Sequence, residues 1–61
     1  MMNFQGALNN VVQGFKVRRK SWNNDEYMFY DNGELLMADK DGTFSVDLSS
    51  RDLLAIDWYC L

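Results

Sequence analysis

Asp31-Asn32-Gly33 lies between two apolar-rich runs and constrains the fold more than any other feature of the chain. Asn-Gly suits the type I′ turn, whose twist matches that of two paired antiparallel strands. The runs on either side therefore read as strands over residues 26–30 and 34–38. In the first, Tyr27 and Phe29 share one face, and Met28 and Tyr30 the other. Asp41-Gly42 marks a second turn and opens a further strand over residues 43–47, with Phe44 and Val46 on one face. Consecutive hairpin connections of this kind imply an antiparallel meander.

Upstream the period changes. Phe4, Ala7, Leu8, Val11 and Val12 follow the i, i+3, i+4, i+7, i+8 spacing of one helical stripe, which predicts a helix over residues 3–13. Asn3 is a suitable N-cap, and Gly14 a suitable stop. Residues 15–20 then alternate, placing Phe15, Val17 and Arg19 on one face and Lys16, Arg18 and Lys20 on the other. Arg19 thus points with the core residues. An inward guanidinium needs a carboxylate or a ligand, because an unpaired buried charge is very costly.

Trp22-Asn23-Asn24-Asp25 reads as a turn. Near the end, Ser49 or Ser50 caps a short helical turn over residues 51–54, with Asp52 in its first turn, where a negative charge suits the helix dipole. Ile56, Trp58 and Cys60 then alternate with Asp57, Tyr59 and Leu61, which reads as a closing strand. The expected architecture is α+β: an N-terminal helix on an antiparallel meander of about five strands, with a short helical turn before the last strand.

With 61 residues the chain makes a single domain, residues 1–61. A domain of this size buries only about 60% of the surface its unfolded chain exposes. Cys60 has no partner for a disulfide, and without His a single Cys holds no structural zinc. Self-association is the remaining way to enlarge the core.

Missing side chains set most chemistry aside. The lack of His removes the usual serine and cysteine triads. A paired-carboxylate hydrolase stays formally open, but the nine acids of so small an acidic domain are expected to be mostly solvated, so no catalytic residue and no cofactor are expected. Asp39 and Asp41 lie in a turn with too few regularly spaced oxygen ligands for a calcium loop. The net charge of −3 argues against binding DNA or RNA polymers. No apolar run approaches the roughly 20 residues of a membrane span, and the first ten residues do not read as a signal peptide. An unpaired cysteine favours a reducing cytoplasm.

The segment Lys16-Val17-Arg18-Arg19-Lys20-Ser21-Trp22 is more informative. It gathers four of the 6 basic residues and ends on an indole. Guanidinium binds phosphate in a bidentate fork, and an indole offers a flat face on which a base stacks. A nucleotide requires both. A solvated strand face beside a core Trp would have the same pattern.

Phe4-x-x-Ala7-Leu8, then Gly14-x-x-Val17-x-Arg19-x-x-Trp22, resembles the opening of the DUF2829 family. Ser49-x-x-Asp52-Leu53-Leu54-Ala55-x-Asp57-Trp58 is similar to that family's closing motif. The two motifs cover about half the chain, and Tyr30 runs directly into Asp31-Asn32-Gly33 where family members usually carry a longer middle. The family includes a phage protein that opposes Thoeris defence. The resemblance implies a helix on an antiparallel sheet, assembled as a homo-oligomer, a dimer or tetramer, in the cytoplasm of the infected bacterium. It implies binding of a cyclic nucleotide signal, of glycocyclic ADP-ribose or cyclic oligonucleotide type, held without cleavage. A related member acts against CRISPR, so a small protein-binding inhibitor of a host defence enzyme is the alternative.

Under the nucleotide reading, Arg19 with Lys20 or Arg18 meets phosphates. Trp22, with Tyr27 or Phe29, stacks on a base. Asp57 or Asp52 accepts from ribose hydroxyls or pairs with Arg19, and Ser49 and Asn23 are further polar contacts.

Overall fold

The computed structural model describes residues 1–61. Helix α1 (Phe4–Val11) starts where Asn3 Oδ1 accepts the Gly6 N–H at 2.9 Å. It ends where the Gly14 N–H reaches Val11 O at 3.0 Å and the Phe15 N–H reaches Asn10 O at 3.3 Å. That pair of bonds is a Schellman closure, and Gly14 supplies the positive φ of 106° that it requires.

Five strands follow: β1 (Val17–Arg19), β2 (Tyr27–Asp31), β3 (Glu34–Asp39), β4 (Gly42–Ser45) and, after the short helix α2 (Ser50–Leu54), β5 (Trp58–Cys60). They form one sheet in the order β4-β3-β2-β1-β5, every neighbouring pair antiparallel. The expected helix on a five-stranded antiparallel sheet is therefore the fold. Asn32 at φ 51° and Gly33 at φ 80° make the type I′ turn between β2 and β3. The outer edge of β5 is closed by the N-terminus: Met2 and Trp58 exchange backbone bonds of 2.8 and 3.0 Å.

Cross-strand partners share a face, so the register sorts the side chains. The helix side carries Val17, Met28, Met37 and Trp58, which close the core with Ala7 and Val11 of α1. Phe4, Leu8, Trp22, Leu35, Val46, Leu48 and Ala55 pack around it. Only 7 of 61 residues are buried, so this core is thin and the polar clamps described below bear on stability. The far side of the sheet carries Arg18, Tyr27, Phe29, Leu36, Ala38 and Tyr59, with no helix over it.

Three apolar residues depart from the expected pattern. Phe15 and Ile56 are exposed, because the strands begin only at Val17 and Trp58 and alternation holds only within a strand. Val12 is exposed as well; α1 packs over β5, β1 and β2, and its stripe ends at Val11.

Candidate functional site

Successive strand residues point to opposite faces, so the neighbours Arg18 and Arg19 meet opposite environments. Arg19 turns to the helix side. There its Nε donates to Asp57 Oδ1 at 2.8 Å, its Nη2 to Asp57 Oδ2 at 3.4 Å and its Nη1 to Asp52 Oδ1 at 2.9 Å. The side chains of Arg19 and Asp52 are only 18% and 15% exposed.

Asp52 is held by the local sequence of α2. Ser49 and Asp52 form a capping box: the Ser49 N–H donates to Asp52 Oδ2 at 3.0 Å, and the Asp52 N–H donates to Ser49 Oγ at 3.4 Å. The Trp22 indole N–H reaches Asp52 Oδ1 at 3.4 Å, and the Trp58 indole N–H donates to Asp52 O at 2.9 Å. Burial alone would push the Asp52 carboxyl up, but bonds from Ser49, Arg19 and Trp22 together hold it below the usual range. Asp57 is held low chiefly by its hydrogen bond from Arg19, and Arg19 is raised by its bonds to Asp57 and Asp52.

Arg19, Trp22, Ser49, Asp52 and Asp57 are thus brought together. Two carboxylates face one guanidinium, so the cluster carries a net charge of about −1. Trp22 stands edge-on to Trp58, ring centroids 5.1 Å apart at 74°. Lys20 and Asn23 flank the cluster and are exposed; the Lys20 N–H donates to Asp57 O, and the Asn23 N–H to Glu26 Oε1.

Arg18, Tyr27 and Phe29 lie apart from that cluster, on the far side of the sheet. Arg18 Nε donates to Tyr59 Oη at 2.7 Å, and its Nη1 donates to Asn24 O. Its guanidinium carbon stands 5.4 Å from the centroid of the Tyr59 ring. Lys16 places its ammonium 4.8 Å from the centroid of Tyr27, whose ring lies 5.7 Å from that of Phe29 at 51°. These cations touch a hydroxyl, a carbonyl and two π faces. No carboxylate is paired with them, and the carboxylates on this face, Asp31 and Glu34, lie at its far hairpin.

Tyr59 joins this group without having been singled out from the sequence, as does Lys16, which the basic segment includes without assigning it a contact of its own. The usable signal was the alternation itself, which puts Lys16 with Arg18, and Tyr59 opposite Trp58. The chain encloses no pocket, and no cluster of three His, Cys, Asp or Glu side chains is arranged to hold a metal.

A family model described as the Thoeris anti-defense 2-like domain matches residues 2–61, nearly the whole chain. Curated proteins give no match to it.

Proposed function

We infer the mechanism from a plain premise: this chain belongs to the Thoeris anti-defense 2-like family, and its role is Thoeris anti-defence. It acts by holding a cyclic nucleotide immune signal without cleaving it, so that the signal does not reach its effector. One observation carries this reading: Lys16 and Arg18 are positioned by uncharged partners beside Tyr27, Phe29 and Tyr59.

An anion is drawn to cations whose charge is not already met. The Arg19 cluster, net negative, repels phosphate and serves as the clamp between β1 and α2. Arg18 has Nη2 and part of Nη1 free, and offers them to a phosphate in the fork geometry of guanidinium. Lys16 adds a second positive charge. The rings of Tyr27 and Phe29 give a base or ribose an apolar platform, with stacking worth roughly 1–3 kcal/mol per base. No side chain in this group is placed as nucleophile and base, so the bound signal leaves unchanged.

Calorimetry with cyclic ADP-ribose isomers and cyclic oligonucleotides tests the reading. At least one binds at micromolar concentration or tighter, and is recovered intact after the protein is denatured. If none binds, or a linear product is recovered, the reading fails.

A second reading is a protein-binding inhibitor of a host defence enzyme. It is favoured by the apolar knuckle at the end of α2, where Leu54 is 82% and Ile56 77% exposed beside Leu53. Under it, no nucleotide binds, and Leu54→Asp abolishes the anti-defence effect while the fold is kept.

A further inference from the structure

Arg18 owes its orientation to two acceptors that are not equally secure. Its Nε donates to Tyr59 Oη at 2.7 Å, and the sheet fixes Tyr59 directly opposite Arg18. Its Nη1 donates to Asn24 O, a backbone carbonyl in an exposed loop. Such a carbonyl holds a guanidinium only if the loop is itself held.

Glu26 holds it. The Glu26 N–H donates to Asn23 O at 3.0 Å, which closes a β-turn over residues 23–26. The Asn23 N–H donates in return to Glu26 Oε1 at 3.0 Å. The two bonds are reciprocal, as in a capping box, so the Glu26 side chain staples the turn that its own backbone closes. The bond inside the turn uses the carbonyl of Asn23 and leaves that of Asn24, a central residue, for an outside donor. Glu26 is half-buried and pairs with no cation, so the staple is what occupies its carboxylate.

We propose that Glu26 is a positioning residue of the anion site: it staples the turn that presents Asn24 O to Arg18 Nη1, and so keeps the guanidinium oriented with Nη2 open to phosphate. The proposal rests on the reading of Arg18 as a phosphate contact. It gives a carboxylate a supporting part in binding an anion, which is the opposite sign to simple electrostatics.

Two effects of removing Glu26 compete. Loss of a negative charge near Arg18 favours phosphate, but that effect acts through solvent and is screened by salt. Loss of the staple releases Asn24 O, and the ligand must then order Arg18 on binding. Ordering one long side chain costs about threefold to tenfold in affinity and is not screened. Glutamine separates the two effects, because it removes the charge and keeps the Oε1 acceptor.

The test is calorimetry of the full chain with adenosine diphosphate, which offers one base and a phosphate pair, at physiological salt. It is read beside NMR of the Arg18 Nε–H in the ligand-free protein. Glu26→Ala is expected to bind about threefold to tenfold more weakly than the parent, whereas Glu26→Gln binds as the parent does or more tightly. Tyr59→Phe keeps the ring beside the cation but removes the other acceptor, and weakens binding by a similar factor. Without ligand, the Arg18 Nε–H exchanges faster with solvent in Glu26→Ala and not in Glu26→Gln. Added to Arg18→Ala, Glu26→Ala costs nothing further, because it acts through Arg18. Full affinity in Glu26→Ala beside a loss in Arg18→Ala overturns the positioning role and leaves the phosphate reading standing. An equal loss in Glu26→Ala and Glu26→Gln overturns it too, since the charge and not the staple would then matter. Unchanged affinity in Arg18→Ala, or no binding at millimolar adenosine diphosphate, overturns the phosphate reading and the proposal with it.

Discussion

Asp52 ties β1 to α2 through Arg19: Oδ1 takes the Arg19 Nη1 at 2.9 Å while Oδ2 takes the backbone N–H of Ser49 at 3.0 Å. One carboxylate therefore caps a helix and fastens it to the sheet. Replacing it with alanine removes a cap partner and an ion-pair partner together. Asp52→Ala is expected to cost about 1–3 kcal/mol of stability by chemical denaturation. A loss below about 0.5 kcal/mol, the usual range of an uninvolved surface site, would show that the clamp is not what holds α2.

The same clamp sets the response to acid. Asp52 and Asp57 are held below the usual carboxylate range in the folded chain. Their contribution is fully present above the unfolded value of about 4 and is lost as pH falls through the lower folded values. The raised Arg19 keeps its charge across this range. Denaturation midpoints should be flat near neutrality and fall below about pH 4. The Asp57→Asn variant should show a shallower acid limb; an unchanged limb would assign the acid sensitivity to other groups.

Trp22 and Arg18 should separate stability from binding. Trp22 donates to Asp52 and packs on Trp58, so Trp22→Ala is expected to lose about 2–4 kcal/mol of stability. Nucleotide affinity of the folded fraction should change less than about threefold, under one kcal/mol. Arg18→Ala should keep stability and lose at least tenfold in affinity, about 1.4 kcal/mol or more. Reversed results in calorimetry would move the anion site to the Trp22 cluster.

Gly6 is a helix position where alanine would ordinarily help by about 1 kcal/mol. A Cβ there would stand 2.9 Å from Met2 Cβ, inside contact distance. Met2 cannot withdraw freely, because its backbone is bonded to Trp58 on both sides. Gly6→Ala is therefore expected to be net destabilising by about 1 kcal/mol, with faster exchange at the Met2 and Trp58 amides. A gain in stability would mean that the N-terminal strap is loosely held.

Much of the fold is legible because its punctuation is local. Asn3, Gly14 and Asn32-Gly33 each act locally and stand where their chemistry indicated, and of the two serines offered as cap for α2 it is Ser49 that serves. Periodicity says which side chains share a face, and it put Arg19 with Val17 correctly. It does not say which face is covered when both are apolar. In β2 the buried residue is Met28, while the larger Tyr27 and Phe29 lie on the uncovered side. That outcome is decided by where α1 lands, a tertiary fact. The candidate site divides for the same reason: the basic and aromatic residues clustered between Lys16 and Trp22 fall into two environments once the strand separates its faces. The pairing of Arg19 with both Asp52 and Asp57 joins residues more than 30 positions apart, a choice that the sequence left open.

The backbone exchange between Met2 and Trp58 also bears on how the chain reaches this state. The β2–β3–β4 hairpins need only neighbouring residues and can zip early. The opposite side of the sheet must bring β1 to β5 across separations such as the 41 positions between Arg18 and Tyr59. Trp58, the largest fully buried side chain, sits in that seam. Loop closure there costs more entropy than closing the local hairpins, so the rate-limiting step is expected at the junction of the two chain ends. Substitutions at Met2 and Trp58 should govern how fast the domain forms, whereas those in the type I′ hairpin chiefly govern how readily its far edge opens.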